Sequence, residues 1–237
     1  MPSWNIHTAH VERVLREHSP EELGIRDVNA FLFGNYIPDI YVGYMVKDIT
    51  HKIAYGTTHF VEPGYIPEPA FWQFWREYAL ASADADGCVS DVTLGAWAHL
   101  VADNGYNHSV NAYLLAQGAK FNTQTRIMKQ SDFELFGRTR DISMTCTPTD
   151  ELIAQAQVFP QYPIEPVDTQ AAIESARRIV RANQQGHLSH MPKYSLLSEG
   201  LFDQMTDVVN RRIVAGLMGY ARQGASAPEL VAEVKHA

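Results

Sequence analysis

The stretch from Ser90 to Gln117 constrains the fold more than any other part of the chain. Leu94, Trp97, Leu100 and Val101 recur along it at helical spacing. That spacing predicts a long and largely buried helix, broken at Gly105. Other helical signals surround it. Val11, Val14 and Leu15 give an apolar stripe to a first helix over 6–17. Ser19-Pro20-Glu21-Glu22 reads as a capping box that starts another. A further helix spans 29–36, and Pro38 stops it. The Gly-, Thr- and Pro-rich segment 41–68 reads as a long ordered loop. Pro69 opens a helix with Phe71, Phe74, Trp75 and Tyr78 on one face and Trp72 off it. Later helices are expected over 150–157, 168–185 and 198–222, and a short one from Ser226. Gly186 and Gly224 stand where C-terminal caps belong. No convincing alternating strand appears. The expectation is an all-α, single-domain helical bundle spanning 1–237.

Length and charge narrow the functional classes. A chain of 237 residues suffices for one substantial core. Nineteen basic against 27 acidic residues give a formal charge of -8. An extended nucleic-acid groove is therefore not expected. A small anionic substrate is compatible, because a bound cation reverses the local sign. No apolar run is long enough to span a membrane, and Met1-Pro2-Ser3-Trp4 does not read as a secretion signal. Cys88 and Cys146 read as two thiols in a reducing compartment. The expected location is cytoplasmic, and the oligomeric state is left open.

Histidine carries the chemistry. His99 and Asp103 lie four apart on the long helix, so both side chains project from one face. Such a pair can share a metal ion, or form a purely structural hydrogen bond. Asp39 follows Pro38 in Gly34-Asn35-Tyr36-Ile37-Pro38-Asp39, where a turn or cap role is the alternative. His59 stands in Gly56-Thr57-Thr58-His59-Phe60, and His51 competes for its role from the same loop. His7 and His10 sit at i,i+3 near the start and compete likewise. Asn107 and Asn111 extend the Asp103 face, as substrate or supporting groups or as a solvated stripe. Arg138 and Arg140 could clamp a phosphate or belong to a charged surface.

The ordered set Trp4-Asn5-Ile6-His7, Gly34 to Asp39, Thr58-His59-Phe60 and His99 to Asp103 resembles the zinc-dependent phospholipase C family, related to single-strand-specific zinc nucleases. The resemblance covers about the first half of the chain. It implies a helical bundle with one to three Zn²⁺ ions. Asp39, His59, His99 and Asp103 would hold one zinc. Asp103 would bridge to a second, with His7 as a further ligand. His108 would serve a third. The family's later His-x-x-x-Glu pair is missing, and His187 and His190 stand in that region instead. Trp4 is also preceded by three residues, so the family's N-terminal amine ligand is not expected. The implied activity is hydrolysis of a small phosphodiester or a phospholipid headgroup, with Asp39 as general base. A non-catalytic zinc site is the second reading. A helical nucleotide phosphohydrolase ranks last, because no adjacent His-Asp pair occurs.

Overall fold

The structure, a computed structural model, describes residues 2–232; Met1 and residues 233–237, His236 among them, lie outside it. Among the described residues every regular element is helical. The order is α1 (Trp4–Glu17), α2 (Val28–Gly34), α3 (Ile37–Ile40), α4 (Tyr55–His59), α5 (Phe71–Phe74), α6 (Asp91–Ala116), α7 (Thr123–Arg138), α8 (Asp150–Gln157), α9 (Pro166–Gln185) and α10 (Glu199–Gln223). A π turn (Trp75–Ala79) and a 3₁₀ turn (Leu80–Ser82) extend α5.

Helix α6 is the axis of the bundle. The Ser90 side chain caps it by accepting from the Thr93 amide. Helices α2 and α10 pack along it. Gly34 and Gly95 allow α2 to approach α6 backbone to backbone. A Cβ on Gly95 would lie 2.1 Å from the Phe31 carbonyl oxygen, and one on Gly34 2.1 Å from that of Val92. Only hydrogen fits there. Trp4, Phe31, Trp75, Trp97 and Tyr106 fill the surrounding core. Arg212 lies over the Phe71 ring, with its guanidinium carbon 4.4 Å from the centroid.

Several expectations need correction. Gly105 does not break α6, which runs unbroken from Asp91 to Ala116. The position packs against Val209, whose Cγ2 would lie 2.7 Å from an added Cβ. The Ser19–Glu22 capping box forms both of its hydrogen bonds. No helix follows it, because Gly24 turns left-handed at φ +69° against Tyr220. Pro38 is not what stops the helix before it. Helix α2 has already closed at Gly34, and Pro38 sits in the first turn of α3, where its missing N–H costs nothing. The loop over 41–68 contains a short helix, α4, that carries His59. Trp72, off the apolar face of its helix, is nevertheless half-buried. The segment from Ser226 forms only a 3₁₀ turn (Pro228–Leu230). Helix α7 is the element that the hydrophobic pattern did not announce. Both cysteines are free thiols. No helix among the described residues is long and apolar enough to cross a membrane.

Candidate metal centre

Four short or central elements bring five side chains together. Helix α6 contributes His99 and Asp103, α3 contributes Asp39, α4 contributes His59, and α1 contributes His7. All five are buried, none more than 4% exposed. Two groups have ligand geometry: Asp39, His59 and His99 in one, and His7, His99 and Asp103 in the other.

Each ring is set by the backbone near it. The close α2–α6 crossing brings the Asn35 carbonyl to His99, whose Nδ1–H donates to it at 2.9 Å. A carbonyl only accepts, so the proton sits on Nδ1 and Nε2 is left bare. On α4 the Thr58 hydroxyl donates to the Tyr55 carbonyl. Its oxygen therefore accepts from His59 Nδ1–H, at 2.7 Å. His59 Nε2 is bare too. Phe60, left-handed at φ 56°, closes α4 directly after His59. The Tyr55 ring stacks on His59 with centroids 3.9 Å apart, and the His7 ring stacks on His99 at the same spacing. Trp4 Nε1 donates to Asp39 Oδ2 at 3.0 Å, which leaves Oδ1 turned to His59.

The outcome is a convergence of lone pairs. His59 Nε2 and His99 Nε2 lie 3.3 Å apart. His59 Nε2 is 3.6 Å from Asp39 Oδ1 and 3.6 Å from Asp103 Oδ2. His99 Nε2 is 3.8 Å from Asp103 Oδ2 and 4.0 Å from Asp39 Oδ2. The other Asp103 oxygen, Oδ1, is 3.3 Å from His7 Nε2. Neither Asp103 oxygen and neither His7 nitrogen has a hydrogen-bond partner. Buried acceptors left without donors are costly. Cations between Asp103 and the Nε2 atoms of these histidines would give both carboxylate oxygens and His7 Nε2 a partner. Zinc bonds of about 2.0–2.1 Å in a tetrahedron separate ligand atoms by about 3.3–3.4 Å. The donor set and its spacing fit such an ion.

Electrostatics point the same way. Burial lowers the pKa of His7, His59 and His99, so the rings are neutral ligands. Burial pushes Asp39 up to about 6, and it raises Asp103 as well. Without a cation the two carboxylates compete for protons. Lys129, buried on α7, acts on Asp103 as a cation, while burial depresses its own pKa.

The remaining predicted residues lie elsewhere. His10 is one turn beyond His7 on α1, yet its ring contacts Asn210 and Tyr106. His51 is exposed, contacts the Thr50 hydroxyl and packs on Tyr41. His108 does not join the cluster. Its Nδ1 faces Glu68 Oε2 at 3.1 Å, with both side chains partly exposed. Asn107 and Asn111 donate to the Pro67 and Ile66 carbonyls, so they fasten the 66–68 segment to α6. His187 and His190 are exposed in the turn after α9. Arg138 Nε donates to the Gly186 carbonyl and holds that turn. Sequence reasoning missed Trp4, Asn35, Tyr55 and Thr58 as the supports of the site. Thr58, directly before His59, was the one with a readable signal, since the second N–H of a ligand imidazole needs an acceptor.

No family model, curated protein or solved structure matches the chain.

Proposed function

We propose that this chain is a zinc-dependent phosphoesterase that hydrolyses a small phosphodiester or a phospholipid headgroup. One observation carries the reading: Asp103 turns one unpartnered oxygen to His59 and His99 and the other to His7. A carboxylate so placed suits a bridge between two ions. His99 occurs in both ligand groups, but with Nδ1 held by Asn35 its one bare nitrogen serves a single ion. Two ions would therefore divide the set, with Asp39, His59 and His99 around one and His7 beside the other. Zinc bound there supplies Lewis acidity towards a phosphoryl oxygen and makes water acidic enough to attack near neutral pH. The chain's own part is positional. Trp4 holds Oδ2 of Asp39, which turns Oδ1 into the cluster, where it would hold an ion and would be within reach of a proton released by the attacking water. The apolar core around the cluster excludes bulk water and strengthens each charge interaction.

A second reading rests on burial. Ligands no more than 4% exposed would suit a metal that fastens α1, α3 and α4 onto α6 without turnover. The two readings part on one assay. Zinc-loaded protein is incubated with a chromogenic phosphodiester, beside Asp39→Asn and Asp103→Ala. Turnover in the wild type that is lost in both variants supports the esterase. Zinc binding without turnover, on this substrate and on short-chain phospholipids, supports the structural metal.

A further inference from the structure

We propose a second ligand site, specific for a phosphate-bearing small molecule, in the cavity between α1, the segment after α7, and α10. It is separate from the metal centre. The cavity has a volume of about 570 Å³ and includes Ala9, Arg13 and Arg16 of α1, Arg140, and Thr206 and Asn210 of α10 in its walls. Ala9, Arg13 and Arg16 recur at helical spacing on the face of α1 turned away from His7, so one helix serves both sites from two sides.

The charge of the cavity is unusual for a chain with a formal charge of -8. Three arginines line it against two carboxylates, Glu12 and Asp141. These charges are not equivalent. Arg13 is paired with Glu17 and Asp207. Glu12 is occupied by the Ser143 and Met144 amides, which donate to its Oε1. Arg16 and Arg140 have no carboxylate within ion-pair distance among the described residues, which leaves Asp141 alone against them. Arg140 is also pre-positioned. Its guanidinium carbon stacks over the Phe136 ring at 4.4 Å, and its Nε and Nη2 both donate to the Thr139 hydroxyl. A guanidinium held in one orientation loses little entropy on binding an oxyanion.

The second observation is on the floor. Asn210 is 3% exposed, and its Oδ1 is used by His10. Its Nδ2 is buried with no partner. That unpartnered donor lies directly beneath the wall of a cavity that carries two guanidinium groups with no carboxylate partner, and a small turn of the side chain would bring it to a ligand oxygen. Thr206 adds a hydroxyl beside it; its proton goes to the Phe202 carbonyl, and its oxygen is left to accept from a hydroxyl of a sugar or polyol, while Tyr106 lies buried behind it against His10. A phosphorylated sugar or polyol matches this combination of two cations, one amide donor and one hydroxyl.

The test uses inorganic phosphate as the probe on the full chain, followed by amide chemical shifts in metal-free protein. The expected result is saturable shifts at residues around Arg16, Arg140 and Asn210. Arg140→Gln should weaken binding about tenfold or more, as loss of a charged hydrogen bond implies. Arg16→Gln, at an exposed position that does not endanger folding, should weaken it by a smaller factor. Asp103→Asn, which disables the metal centre, should leave phosphate binding unchanged. Sugar phosphates should then bind more tightly than inorganic phosphate. Absence of saturable binding would overturn the proposal, as would binding that survives both arginine substitutions or disappears in Asp103→Asn.

Discussion

His7 and His10 stand one turn apart on α1, and both are buried with their pKa values lowered by desolvation. They differ in partners. His10 has Asn210 on one nitrogen and Tyr106 on the other, each at 2.9 Å. His7 has no hydrogen-bond partner on either nitrogen, and an equally unpartnered Asp103 oxygen lies 3.3 Å away. The first is a finished structural histidine. The second belongs to a group that could hold a cation. Burial does not distinguish them, nor does the direction of the pKa shift; the count of donors around each acceptor does.

The largest effect that sharpens this contrast is on metal affinity. A structural zinc site contributes about 10–16 kcal/mol over four ligands, so one ligand is worth about 3 kcal/mol, or two orders of magnitude in affinity. His99→Ala should cost at least that in zinc titrations, and His10→Ala should leave zinc affinity within about twofold. Equal losses in the two variants would break the contrast.

The next effect is on pH. Asp39, pushed up to about 6, holds a proton below that pH in the metal-free protein, and Asp103 is raised in the same direction. A metal must displace those protons. Zinc affinity should fall by about tenfold for each pH unit below 6, per proton displaced, and binding should release protons to buffer. Calorimetry in buffers of different ionisation enthalpy measures that release.

Stability separates the two histidines from the other side. His10→Ala removes a packed ring and leaves Asn210 Oδ1 unpartnered, while Tyr106 keeps Thr206, for a loss of about 2–4 kcal/mol in denaturant unfolding. His10 has its pKa lowered to about 4. Its contribution is therefore intact above the unfolded-state value of about 6.5 and is lost as pH falls from there towards 4. His7→Ala in metal-free protein should cost less, because no hydrogen bond is lost.

The smallest effect tests the supports. Thr58→Val removes the acceptor of His59 Nδ1–H and should lower zinc affinity by about 10-fold to 100-fold, with the fold intact. Trp4→Phe keeps the packing against Tyr36, removes the donor to Asp39, and should fall in the same range. Unchanged affinity in both would show that the rings are held by packing alone.

Local rules made much of the helical skeleton readable. Helix α8 begins at Asp150 because Thr149 caps it, and α10 at Glu199 because Ser198 does. Helix α7 escaped notice because its buried side includes Lys129 and Asp132, which break an apolar stripe. Asp132 is buried because it accepts from the backbone amides of Ser195, Leu196 and Leu197, a tertiary arrangement that no local pattern announces. At the site, the four-residue spacing of His99 and Asp103 was plain from the sequence. The tautomers were not, since they depend on Asn35, brought in by the Gly34–Gly95 crossing, and on the turn at Tyr55. The choice between His7 and His10 was equally hidden, because Asn210 is 200 residues from His10 in the chain.

The most direct measurement is zinc content and zinc titration of purified protein, beside Asp103→Ala. The account predicts that the wild type binds at least one equivalent tightly, that a second equivalent depends on His7, and that Asp103→Ala loses both. Metal-free protein that takes up no zinc, nickel, manganese or iron on titration while remaining folded would contradict it.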